Sequence, residues 1–206
     1  MKGILFMVLN ANYTHKKIIK AAHKLFMDLG YRAVSTRRIA EACGITQPTL
    51  YHHFSNKKAI YMEVLRTELV DMQNALSRII KRFEDDIEEC LFQVTYYILI
   101  NKPPSMGQMF HDIQKELDQE HQGIVRKWWM ESYQDPIASI FEKGINDQKL
   151  RNPSEIGSDP VSSAYLLLSL ISSRNTDYKL KESLAKEQAR FYVKVILYGL
   201  SQSNGQ

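Results

Sequence analysis

The chain has 206 residues, enough for one large domain or two small ones, with 44% hydrophobic and 24% charged residues, the balance of an ordinary globular protein. No segment approaches the roughly 18 apolar residues of a membrane span, and Cys43 and Cys90 match no zinc or disulfide spacing, which points to two buried thiols in a reducing cytoplasm. The net charge of +4 hides a split: residues 1–66 hold 11 Lys and Arg against 3 Asp and Glu, a balance of +8, and the remainder holds 16 against 20, a balance of −4. A basic end on a mildly acidic body suits a polyanion partner at that end alone.

The chain reads as helical almost throughout. The apolar run Ile4 to Leu9 is too short for a secretory h-region, and no A-x-A-like site follows it, so residues 1–11 read as a short extension. Ile18, Ala22, Leu25, Phe26 and Leu29 then repeat on one helix face, and Gly30 ends that helix. Ser35 or Thr36 caps a second, short helix with Ile39, Ala40 and Cys43 inward, and Gly44 breaks it. Thr46 caps a third, which tolerates Pro48 in its first turn and turns Leu50 and Phe54 inward. Ser55 or Asn56 opens a long fourth helix through Tyr61, Val64, Leu65 and Leu69. Further helices are expected over Ile87–Ile100, Met106–Leu117, Ile124–Asn146, Val161–Ser173 and Ser183–Leu200, with Arg151–Pro160 as the clearest loop.

The stretch from Ser35 to Phe54 has the spacing of a helix-turn-helix. With Thr36 as its first position, the small Ala40 falls where two helices cross, Gly44 falls in the tight turn, and Leu50 packs the second helix on the first. Gln47, Thr49, Tyr51, His52 and His53 are left outward. Gln pairs bidentately with adenine, Thr reaches a base or a thymine methyl, and Tyr, His and Lys reach phosphates. A metal site does not fit: adjacent histidines point about 100° apart on a helix and do not chelate as an i, i+4 pair does. Nor does catalysis, because no Ser or Cys nucleophile has an evident base and there is no phosphate-binding glycine loop or carboxylate pair. No metal, no cofactor and no enzymatic activity are therefore expected.

These residues resemble a known family. The segment from Ile18 to Leu65, with its A-x-x-L-F run, G-Y, S-T-R-R-I-A, C-G-I-T and T-L-Y-H-H-F-S-N-K, is similar to the DNA-binding domain of the TetR family of bacterial transcriptional regulators. The resemblance implies an all-α fold. In it an N-terminal three-helix helix-turn-helix domain (12–72, motif about 35–54) is joined by a long helix to a C-terminal helical ligand-binding and dimerisation domain (73–206). It also implies roles. Thr36 and Arg37 meet phosphates or bases, Gln47, Pro48 and Thr49 form the base-facing start of the recognition helix, and Tyr51 and His52 reach backbone and groove. Lys57 meets a phosphate at the start of the fourth helix, and Arg38 and His53 are further candidates.

The last two helices are apolar beyond one stripe, which suits burial on two sides. Val161, Tyr165, Leu168 and Ile171 on the first and Leu184, Gln188, Phe191 and Val195 on the second are expected to pair in a homodimer through a four-helix interface. The middle of the chain is rich in aromatic and thioether side chains. Tyr96, Tyr97, Met106, Met109 and Phe110, with Trp128, Trp129, Tyr133 and Phe141, form a candidate apolar pocket for a small effector, apolar or cationic. The expected function is a cytoplasmic homodimeric repressor, released from a palindromic operator on double-stranded DNA by that effector. The alternative is a ligand-independent architectural or division-related DNA-binding protein on the same fold.

Overall fold

The computed structural model describes residues 2–101, 106–152, 155, 157–173 and 180–199, with side chains from residue 12 onward except at 106 and 107. The described residues contain helices and turns and no strand. They divide into two compact units, Met1–Glu68 with Ser105–Arg126, and Leu69–Pro104 with Lys127–Gln206.

In the first unit α1 spans Lys2–Ala33, so the residues expected as an extension are its first turns. Ile18, Ala22 and Phe26 are buried as the period requires, while Leu29, expected on the same stripe, is exposed at the helix end. Gly30 breaks α1 with φ 77°, a conformation that favours glycine. The chain passes through the buried Val34 into α2, Thr36–Ala42. Of the two cap candidates Ser35 is the one used: its hydroxyl accepts from the Arg38 amide at 3.1 Å. Gly44 turns the chain with φ 62°, and the Ile45 amide returns to the Ala40 carbonyl at 3.0 Å. Then comes α3, Gln47–His53, whose Thr46 cap accepts from the Thr49 amide at 3.3 Å. Ile39, Ala40, Cys43, Leu50 and Phe54 seal the inner side of the motif.

Next is α4, Lys57–Arg82, which gives residues to Glu68 to the first unit and the rest to the second. Two later elements also lie in the first unit: α6, Met106–Glu116, and the start of α7, Gln119–Trp129. An aromatic cluster sits at the base of the motif, with ring centroids 5.0 Å apart for Phe26 and Tyr61 and 4.9 Å for Tyr31 and Tyr61.

The second unit contains α5, Ile87–Asn101, a π turn at Met130–Gln134, α8, Asp135–Asn146, α9, Pro160–Ser172, and α10, Glu182–Tyr198. Its core holds Leu76, Leu91, Val94, Ile98, Ile137 and Leu167, with α5 against α10 and α9 against α8. Asp159 caps α9 by accepting from the Ser162 amide at 2.7 Å. The single helix expected over Ile124–Asn146 is instead α7, the π turn and α8 in series, beginning five residues earlier. Pro136 explains the interruption. In a continuous α-helix it removes a hydrogen bond and its ring strikes the carbonyl four residues back. The wider turn, closed by the Asp135 amide on the Met130 carbonyl, makes Pro136 a first-turn residue of α8.

Candidate nucleic-acid interface

The outer side of α2 and α3 carries three polar side chains drawn together. Gln47 Nε2 donates to Thr36 Oγ1 at 3.3 Å, and the Tyr51 hydroxyl lies 3.1 Å from the same oxygen. Thr36 therefore orients two side chains of α3 while remaining half-exposed itself. One N–H and the carbonyl oxygen of Gln47 remain for the bidentate pairing that adenine accepts. Tyr51 is 48% exposed, and Pro48 and His52 are exposed beside it. Thr49 is half-buried, its hydroxyl 2.9 Å from that of Thr46.

Arg37 and Arg38 are exposed on α2, and Arg37 pairs with Glu41 at 2.8 Å one turn on. That surface pair is easily given up to a phosphate, since exposed i, i+4 pairs are screened by solvent and contribute little. His53 is half-buried; burial and then the nearby His15 and His52 pull its imidazole below the ordinary value, favouring the neutral form. His15, which the sequence did not single out, stacks on Phe54 with centroids 4.7 Å apart.

Lys57 differs from the rest. Its ammonium donates to the Tyr31 carbonyl at 3.0 Å and lies 4.0 Å from the centroid of the Tyr31 ring. Burial pulls it below the usual lysine value, against the opposing pull of Glu116 and Asp112. The side chain is thus engaged inward.

The residues read as a pocket are divided between the two units. Tyr96 and Tyr97 face a groove of about 530 Å³ with Ala75, Arg78, Ile79, Arg82, Phe83 and Gln93. Tyr133 and Phe141 are packed into the core of the second unit, and Trp128 and Trp129 lie half-buried against it. Met109 and the exposed Phe110 belong to α6 in the first unit, and the Met106 side chain lies outside the described residues.

The pairing surface also needs correction. Leu168 and Ile171, at 5% and 2% exposure, face the chain's own core with Ala164 and Leu167, because these four share the inward side of α9. Val161, Tyr165 and Phe191 are exposed, Leu184, Gln188 and Val195 are half-buried, and Leu166 and Tyr198 add exposed apolar area that the sequence reading omitted. Among the described residues no helix is long and apolar enough to cross a membrane.

Comparison with known proteins agrees with this geometry. The family model for bacterial regulatory proteins of the tetR family matches residues 18–64, which hold the whole motif. The HTH-type transcriptional regulator UidR of Escherichia coli is 35% identical over 78 residues, 38% of this chain and 36% of that protein, so the match spans only about a third of UidR. The HTH-type transcriptional repressor KstR2 of Mycolicibacterium smegmatis is 25% identical over 200 residues, 92% of this chain and 91% of that one. The crystal structure of the TetR family regulator PfmR from Thermus thermophilus superposes with a TM-score of 0.69 at 25% identity, covering 90% of this chain and 96% of its own. A capped helix-turn-helix, a family match centred on it and likeness along nearly the whole chain lead to one assignment: the chain belongs to the TetR family of DNA-binding transcriptional regulators.

Proposed function

We propose that the protein is a homodimeric repressor that binds a palindromic operator and leaves it when a small effector binds. The observation that carries this reading is the joined Thr36–Gln47–Tyr51 surface on the outer side of the motif, flanked by exposed Arg37 and Arg38. KstR2, itself a transcriptional repressor, supports the direction of control. One helix-turn-helix reads a half-site, so a two-fold pair places its recognition helices about 34–36 Å apart, one turn of DNA.

The pairing surface has its own support. Leu184, Gln188, Phe191, Val195 and Tyr198 follow one another at alternating steps of four and three along α10, the spacing of a helix seam. Phe191 is 59% exposed and Tyr165 on α9 is 62% exposed, large side chains that a second copy would cover.

For the effector, the groove beside Tyr96 and Tyr97 has an apolar and aromatic wall and two guanidiniums, Arg78 and Arg82, with no acidic side chain in its lining. Its volume lies in the range of small-ligand sites. An amphiphilic anion suits the two guanidiniums and the apolar wall together. Such a ligand acts only if it binds the DNA-competent and DNA-incompetent arrangements differently.

The test is selection of bound fragments from a genomic pool with the full chain, together with sedimentation of the free protein. The expected result is a two-fold motif and a dimer. Fragments without a shared two-fold motif, or a clean monomer at micromolar concentration that still binds tightly, would refute the proposal.

A further inference from the structure

The helix-turn-helix is bracketed by two residues that are tied to each other. Tyr31 stands four residues before the Ser35 cap of α2, and Lys57 stands four residues after His53, the last residue of α3. The bond from Lys57 Nζ to the Tyr31 carbonyl, with the ammonium over the Tyr31 ring, closes the segment that carries the motif. The other main-chain group of Tyr31 is held as well. Its N–H donates to Asp112 Oδ2 at 2.7 Å, across 81 residues of sequence.

Asp112 lies on α6 and is only 5% exposed. Its second oxygen accepts from Gln108 Nε2 at 2.8 Å. A buried carboxylate persists only where donors and opposite charge compensate it, and here the compensation comes from Gln108, the Tyr31 N–H and the attraction of the Lys57 ammonium. Tyr31 follows directly on Gly30, whose positive φ frees the chain from the line of α1. A carbon added at Gly30 would lie 3.6 Å from Asp112 Oδ2, so the carboxylate adjoins the break at ordinary contact distance. Two surface pairs flank the same junction, Arg32 with Glu116 at 2.6 Å and Lys58 with Asp118 at 2.9 Å.

We propose that Asp112 is a positioning residue for DNA binding: through Tyr31 and Lys57 it holds closed a clasp at the base of the helix-turn-helix. Being buried and negative, it touches no phosphate. Its effect is to fix where α1 ends and α4 begins, and so how α2 and α3 are presented. The segment of α6, outside the family match, is thereby part of the DNA-reading unit. The Lys57 ammonium serves this clasp and is not a phosphate contact. The inference rests on the reading that the outer side of α3 binds DNA.

The experiment uses the full-length chain and the duplex recovered by selection with wild-type protein. Affinity is measured against salt for wild type, Asp112→Ala, Asp112→Asn and Lys57→Ala, with thermal melting and the Tyr31 amide resonance alongside. Asp112→Ala is expected to weaken binding roughly tenfold to a hundredfold, the range that a lost hydrogen bond to a charged group spans. The slope of log affinity against log salt stays at the wild-type value, and the Tyr31 amide proton shifts upfield. Asp112→Asn keeps an oxygen acceptor for that amide and recovers most of the loss. Lys57→Ala weakens binding with the same unchanged slope.

If Asp112→Ala does not fold, Asp112→Asn near wild type together with an unchanged slope for Lys57→Ala still supports the clasp. Wild-type affinity in Asp112→Ala overturns it. So does an asparagine variant no better than the alanine one, or a slope lowered by about one unit in Lys57→Ala, the mark of a lost phosphate contact. A wild-type chain that selects no duplex overturns the DNA-binding reading itself, a different failure.

Discussion

Replacing Phe191 by Asp separates folding from pairing. Phe191 is 59% exposed in the single chain. A phenylalanine presents roughly 150–250 Å² for burial, so roughly 90–150 Å² remains open for a partner. At about 25 cal/mol per Å² that is roughly 2–4 kcal/mol for each copy, or roughly 4–8 kcal/mol for a dimer that covers both. Aspartate removes this contribution and adds an unpaired charge whose desolvation opposes association further. The dimer dissociation constant is therefore expected to rise by about three orders of magnitude or more. The single chain should hardly notice, since substitutions on an exposed surface usually stay within about 0.5 kcal/mol. Sedimentation equilibrium reads the first quantity and denaturant melting of the monomer the second. A variant that dimerises as tightly as wild type would show that the α10 seam is not the interface. A variant that fails to fold would show that Phe191 is not the surface residue described above.

Gln47→Ala is expected to cost roughly 1–3 kcal/mol on the selected duplex and to relax preference at one base pair; unchanged affinity and preference would remove Gln47 from base reading. Ser35→Ala and Thr46→Ala each delete the hydroxyl that accepts the amide of the third residue of α2 or α3. Each should lower stability by about 1 kcal/mol in urea melts, and two neutral results would mean that the caps are idle. The hydrogen bond to Glu68 at 2.7 Å, opposed in part by burial, raises His23 above its ordinary value of 6.5. A raised folded value means that the stabilisation is fully present below about pH 6.5 and is lost as pH rises through the folded value. His23→Gln should flatten that decline in stability with pH, and a wild type with no decline to flatten would contradict the linkage.

The motif was readable because everything that makes it is local. Caps act within three residues, Gly44 answers to its own φ, and the period of Ile39, Ala40 and Leu50 needs no knowledge of distant chain. Leu168 and Ile171 were harder for the opposite reason. A helix apolar on two sides announces two partners without saying which side meets the chain itself and which remains open. The type and position of Lys57 suited a phosphate contact, but a main-chain acceptor 26 residues away took its ammonium inward. Asp112 gave no signal of its long-range role, because its distant partner is a backbone amide, which leaves no trace in residue identity. The π turn did leave one, in Pro136, which a reading of hydrophobic period alone passed over.

That π turn also bears on which changes of chain length this region tolerates. A π turn takes in one residue more than an α turn while keeping the flanks in phase, absorbing roughly the 100° of rotation that an extra residue would impose. Removing one residue among 130–134, with the exposed Met130 the least disruptive choice, would leave Ile137, Ile140 and Phe141 on their present buried side. The same deletion a few residues later would put Glu142 where Phe141 now lies and leave Ile140 in the open position of Ser139. The early deletion has a condition attached, because a regular helix through this point would return Pro136 to a helix interior, a penalty of about 3 kcal/mol. Substitution of Pro136 must therefore come first and deletion second, so that homologous chains one residue shorter here should lack this proline.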